Sequence, residues 1–214
     1  MRKRIFWILG GLAALLLVAV LTGSLLLLSE PLPDARNWFR PGDSFYSQSE
    51  GFRQTISTIG TEQLYVRLEL DPHAAGPPEH QHLGFDETFQ VSEGVLSILV
   101  NGEKKQVRAG ETITVPRGVA HRPFNETDSV VVVKGMGEGV GIPVQFAWHL
   151  SQLYPLMDTH GPMSGRVLQQ VSVWGESFDS WPAGPPLPAQ RMLRKVLAPF
   201  ARLAGVRKTP FPKI

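Results

Sequence analysis

Turn residues recur about every ten positions through the middle of this chain, at Gly94, Gly102, Gly110, Gly118 and Asn125. Short apolar runs lie between them. Residues 64–70 alternate, with Leu64, Val66, Leu68 and Leu70 on one face and Arg67 and Glu69 on the other. A second apolar run, residues 96–100, leads into Asn101-Gly102, the strongest short hairpin signal in a sequence. Residues 105–108, 112–115 and 129–134 complete the series, and 144–148 are expected to add one more strand. Many short strands at this spacing predict an all-β domain, an antiparallel sandwich or barrel, over residues 44–148.

The chain has 214 residues, enough for one such core with appendages but not for two. It is 43% hydrophobic and 19% charged, which excludes a disordered chain. It has no cysteine, which excludes disulfides, thiolate metal ligands, thiol nucleophiles and a lipidated N-terminal cysteine. The net charge of +2 is unevenly spread: residues 2–4 carry +3, residues 191–213 carry +7 without one acid, and the stretch between carries −8. The acidic body argues against nucleic acid as a partner despite a pI near 9.

Residues 5–29 contain no charged side chain. About 20 apolar residues suffice to cross a bilayer as a helix, so this segment is expected to be a single transmembrane anchor. A cleaved signal peptide would need a small-residue site; the best, Thr22-Gly23-Ser24, would leave four leucines at the new terminus. A buried soluble helix is the third reading. Residues 1–4 are basic and Glu30 and Asp34 follow the span, so the N-terminus is expected in the cytoplasm and the rest of the chain outside it. Residues 30–43 read as a linker, 149–188 as an irregular, Pro-rich extension with a short helix at its start, and 189–214 as a basic tail with an amphipathic helix over 190–204, interrupted by Pro199. On that helix Arg191, Arg194, Lys195 and Arg202 oppose Leu193, Val196, Leu197, Phe200 and Leu203. The apolar side has two candidate resting places, the β domain or the lipid interface, and a tail of this charge favours the anionic bilayer.

Three histidines and a glutamate carry the chemistry. His80 and His82 stand two residues apart, the spacing that places side chains on one face of a strand. Glu87 follows beyond Gly84, where the chain can bend, and His121 follows a Pro-Arg-Gly turn. Imidazole and carboxylate suit one divalent transition metal ion of the Mn, Fe, Co, Ni, Cu and Zn group. Four ligands on an octahedral ion would leave two positions for water, dioxygen or a substrate.

This pattern resembles the cupin family at both of its motifs. His-x-His, four residues, Glu, six residues and Gly is met by His80, His82, Glu87 and Gly94. Gly, five residues, Pro-x-Gly, two residues, His, three residues and Asn is met by Gly110, Pro116, Gly118, His121 and Asn125. One position departs: Ala74 stands where the family opens its first motif with glycine, and Gly76 follows it. The resemblance covers roughly residues 60–148. It implies a jelly-roll barrel with His80, His82, Glu87 and His121 around a metal, turn glycines at 94, 110 and 118, and Asn125 as a structural turn residue, a role that outweighs its place in a glycosylation sequon. His73, His149 and His160 fit no ligand pattern.

If Glu87 faces inward, alternation sends Phe89 and Val91 with it. Ile98, Val100, Phe146 and Trp148 are further candidates for lining a pocket, and such walls suit a small, partly apolar ligand. Two functions follow: a membrane-anchored metal-dependent enzyme of dioxygenase, decarboxylase or isomerase type, or a non-catalytic module that binds a small molecule or a neighbouring protein at the membrane. A homodimer is a candidate assembly.

Overall fold

The computed structural model describes residues 7, 9–12, 14–18, 22–23, 31–134 and 141–212. Two antiparallel sheets build the domain. The first contains β1 (Ser44–Ser47), β2 (Phe52–Ile59), β3 (Gln63–Leu70), β5 (Glu87–Glu93), β8 (Thr112–Val115) and β10 (Val131–Lys134) in the order β1-β2-β3-β10-β5-β8, with β11 (Ile142–Pro143) also on β3. The second contains β4 (His80–Gln81), β6 (Val95–Val100), β7 (Glu103–Arg108), β9 (His121–Phe124) and β12 (Trp181–Pro182) in the order β12-β4-β9-β6-β7. The sheets form an open sandwich; the closed barrel expected from the sequence is not formed.

The alternation that predicts β3 also builds the core. Leu70 joins Phe52, Phe89, Val91, Val131 and Val133 of the first sheet against Leu96, Ile98 and Val107 of the second. Leu64 belongs to another cluster, with Phe45, Ile56 and the helices that follow the sandwich. Inward-facing residues of one sheet thus feed two cores.

Residues 144–148 are not a strand. They open helix α1 (Val144–His160), and only Ile142 and Pro143 pair with β3. Pro143 has no N–H for a longer ladder and sits at the N-cap of the helix. The apolar pattern that follows is helical: Phe146, Ala147, Leu153, Tyr154 and Met157 are all buried. The expected domain boundary at 148 therefore cuts an element. The extension over 149–188 is also more ordered than its composition suggests. It holds most of α1, then α2 (Gly165–Trp174), capped by the Ser164 hydroxyl on the Val167 N–H at 3.3 Å, and then β12. The last helix, α3, spans Leu187–Leu203 and continues through Pro199.

The expected linker at 30–43 is partly structural: Asp34 caps a short 3-10 turn (Ala35–Asn37), and Ala35 and Phe39 are buried in the helix-side core. About half of the span expected over residues 5–29 lies outside the described residues. Those of it that are described are helical, and no described helix is long and apolar enough to cross a membrane.

Candidate metal centre

His80, His82, Glu87 and His121 converge, each offering one ligand atom within 4.8 Å of the others. Four different segments deliver them. His80 lies on β4 directly opposite His121 on β9. His82 follows the end of β4, and Glu87 opens β5 opposite Val115. The bend between them is held by Asp179, whose carboxylate accepts from the Leu83 N–H at 3.0 Å and the Gly84 N–H at 2.7 Å.

Each imidazole is turned the same way. The Nδ1 of His80 bonds the Pro78 carbonyl at 2.9 Å, that of His121 bonds the Val119 carbonyl at 3.0 Å, and that of His82 bonds the Asp179 carbonyl. A carbonyl only accepts, so Nδ1 carries the proton in all three rings and the Nε2 atoms face the centre. There His121 Nε2 lies 2.7 Å and His82 Nε2 3.3 Å from Glu87 Oε2. The His82 Nε2 atom is buried with no hydrogen-bond partner.

The electrostatics match a site built around a positive charge. Burial opposes ionisation of Glu87, but the hydrogen bond from His121 and the close approach of His82 outweigh it and hold the carboxyl well below the usual range. Burial would lower His121, yet its bond to Glu87 raises it above the ordinary value. Burial, together with the neighbouring His82 and His121, pushes His80 down to about 3. Three Nε2 atoms, that of His82 buried without a partner, and one carboxylate fit a divalent ion, which would replace the proton between His121 and Glu87.

A cavity of about 260 Å³ opens beside this cluster, with His80 and Glu87 on its wall. Of the residues expected to line a pocket, Phe89 and Phe146 do so, Phe146 from α1 and not from a strand. Val91 and Ile98 fill the core between the sheets, and Val100 packs against it from its place opposite His121. Trp148 is buried in the helix-side core, edge-on to Trp38.

The other histidines lie apart from the cluster. His73 bonds Asp128 at 2.9 Å, and His149 is enclosed by Trp148, Trp174 and Phe178. Asn125 is buried and donates to the carbonyls of Asp71 and Ser129 at 2.8 and 2.7 Å, as a structural turn residue would. Asp179 escaped sequence reasoning because nothing local marks it; it meets His82 across 97 residues. Gln54 did leave a signal, as a polar residue between Phe52 and Ile56 on the inward face of β2.

Residues 66–134 match the cupin domain model. Among curated proteins the chain is similar to an epoxidase of Aspergillus terreus, at 29% identity over 53% of this chain and 39% of that one. It is also similar to oxalate oxidase 1 of Hordeum vulgare, at 31% identity over 54% of this chain and 62% of that one. The chain thus spans between about two fifths and three fifths of the length of these relatives. Among solved structures, KdgF from a Halomonas species aligns over 45% of this chain and 88% of its own at 22% identity, with a TM-score of 0.37. The segment that matches the cupin domain, residues 66–134, carries both histidine motifs and all four residues of the cluster.

Proposed function

We propose that this protein is a membrane-anchored cupin that holds one divalent transition metal at His80, His82, Glu87 and His121 and acts on a small, largely apolar organic molecule. The observation that carries this reading is the shared orientation of the three imidazoles. Three backbone carbonyls fix three tautomers, and a set of merely core-filling histidines needs no such agreement. The similarity to an epoxidase and to oxalate oxidases favours oxidoreductase chemistry over simple binding. The metal would supply Lewis acidity or a redox centre beside the cavity. The chain's own side chains orient it, keep the wall apolar and exclude water.

The test is metal content. Protein purified without chelator or nickel resin should carry about one metal ion per chain. His80→Ala with His82→Ala should abolish binding, and Gln81→Ala should leave it intact. Full retention in the double variant overturns the assignment.

Membrane attachment rests on the uncharged run at 5–29 and on α3. The apolar stripe of that helix does not pack on the sandwich: Met192, Val196 and Leu203 are 65%, 54% and 50% exposed. Arg194 turns inward instead, its guanidinium 3.8 Å over the Trp181 ring and bonded to the Gly175 and Phe178 carbonyls. An outward apolar stripe beside Arg191, Lys195 and Arg202 suits an anionic lipid interface. A second reading, a non-catalytic binding module on the same membrane, would show metal and ligand binding without turnover in an oxygen-uptake screen.

A further inference from the structure

The cavity beside the metal cluster has a second polar pole. Glu50, Gln54 and Tyr154 all line it and are 6%, 5% and 2% exposed. Gln54 donates to the Tyr154 hydroxyl at 2.8 Å, beside the Glu50 carboxyl. Among the described residues the Gln54 carbonyl oxygen is left buried without a partner. Leaving such an acceptor unmatched is costly, so the orphan points to a donor that arrives from outside the chain.

This pole is a built feature. Asp158 of α1 accepts from the N–H groups of Gln48 and Ser49 at 2.9 and 2.8 Å, which clamps the turn that carries Glu50 onto the helix that carries Tyr154. It also stands well away from the imidazoles. Gln54 on β2 pairs with Leu68 on β3, Leu68 with Val133 on β10, and Val133 with Val91 on β5, the strand of Glu87. Three strand spacings of ~4.8 Å separate the two strands in the sheet. Between the poles the wall is apolar, made by Phe52, Leu68, Phe89, Phe146, Leu153 and Met157. The volume exceeds the ~150 Å³ that holds a benzene ring and falls just short of the ~300 Å³ at which drug-sized pockets begin.

We infer that this cavity selects a neutral, mostly apolar molecule of about one ring with a short chain, and that it reads a hydroxyl group on that molecule with Gln54 and Glu50. A hydroxyl gives the hydrogen bond that the Gln54 oxygen lacks and can take one from a protonated carboxyl. A carboxylate ligand would set acceptor against acceptor. Arg194 also reaches the wall, but it is committed to backbone carbonyls and the Trp181 ring and draws no anion. Burial pushes the Glu50 carboxyl up to about 8, with Asp158 adding to the shift, so the pole is neutral at physiological pH. The inference deepens the proposed function by naming its substrate class, but the hydroxyl pole contains no metal ligand.

The test uses the full chain in nanodiscs, with empty nanodiscs as the blank, and three probes of similar size: 4-propylphenol, 4-propyltoluene and 4-ethylbenzoate. Calorimetry is run on protein treated with chelator and on protein loaded with Mn²⁺. The phenol should bind about tenfold tighter than the toluene, and the benzoate weakest. Gln54→Leu should erase the preference for the phenol while keeping affinity for the hydrocarbon. The preference should be the same in chelator-treated and Mn²⁺-loaded protein, so a failed metal assignment and a failed hydroxyl pole give different results. Equal affinity for phenol and toluene in the native protein, tighter binding of the benzoate, or no binding of any probe overturns the inference; none of these needs a variant to fold.

Discussion

Glu50 concentrates the energetic tension of this protein in one side chain. Its folded pKa, about 8, lies above the ordinary value, so the folded state keeps a proton that the unfolded chain releases near pH 4.5. Stability from this group is therefore complete below that pH and declines as pH rises towards 8, by up to ~1.4 kcal/mol per unit. The groups facing it are Tyr154 and Asp158 of α1, and neither supplies a compensating positive charge. Glu50→Gln should remove the decline: the stability gap between variant and native protein, read by urea unfolding at pH 5, 6, 7 and 8, should shift in favour of the variant as pH rises. A constant gap would refute the buried proton. Gly76 is constrained for a different reason. Its φ is +71°, and a Cβ there would stand 1.9 Å from the Pro123 carbonyl oxygen. Ala74 stands where the motif it resembles has glycine, and a positive φ is met two residues later at Gly76. Gly76→Ala should cost about 2–4 kcal/mol, since left-handed strain and a backbone clash add. An unchanged melting temperature would contradict this.

The most consequential element is the shortest. β12 pairs with β4 through Trp181 opposite Gln81 and Pro182 opposite His80. Asp179, just before it, holds the loop between His82 and Glu87, and its carboxylate also accepts from the Trp181 indole at 3.0 Å. The extension after the sandwich thus sets the geometry of the candidate metal centre, although it supplies no ligand. Asp179→Ala should weaken metal affinity about 10–100-fold in a competition titration while leaving the ligand count unchanged, because a support and not a ligand is lost. Native affinity in that variant would show that the loop holds itself. The helices α1 and α2 bring Phe146, Tyr154 and Trp174 together with Phe178, which follows α2, as a second apolar layer over β1 to β3.

At the scale of the whole molecule, charge and exposed apolar surface act together. The acidic body would be repelled by an anionic bilayer, while the tail from Arg191 onward adds +7 beside the outward stripe of α3. Each basic residue near such a surface is worth about 1 kcal/mol and is screened by salt. A fragment of residues 30–214 should co-sediment with vesicles containing phosphatidylglycerol, less with neutral vesicles or in high salt. Val196→Asp with Phe200→Asp should release it. Sedimentation unaffected by that pair would assign the tail to another role.

The sequence by itself determined the candidate ligand set and the strand texture of this protein. Both are local in kind: metal ligands at fixed spacing need fixed residues, and a half-buried strand needs alternation, so His80, His82, Glu87, His121 and the run from Leu64 to Leu70 are legible without coordinates. The turn glycines 94, 110 and 118 are legible likewise, and all three have positive φ. Only the tertiary structure decided what surrounds the site. Tyr154 meets Gln54 across 100 residues and Asp179 meets His82 across 97, and neither partner is marked locally. The apolar run at 144–148 reads as a strand until Pro143 ends the ladder and the following turns of helix find a core to cover. Arg194 was expected on the basic polar face of the last helix, and packing turned it inward while Leu193 stays 45% exposed. A guanidinium that can satisfy three carbonyls and stack on an indole is better buried than a leucine with no groove to fill. Which face of an amphipathic helix turns inward depends on what its neighbours offer, and that information is spread along the whole chain.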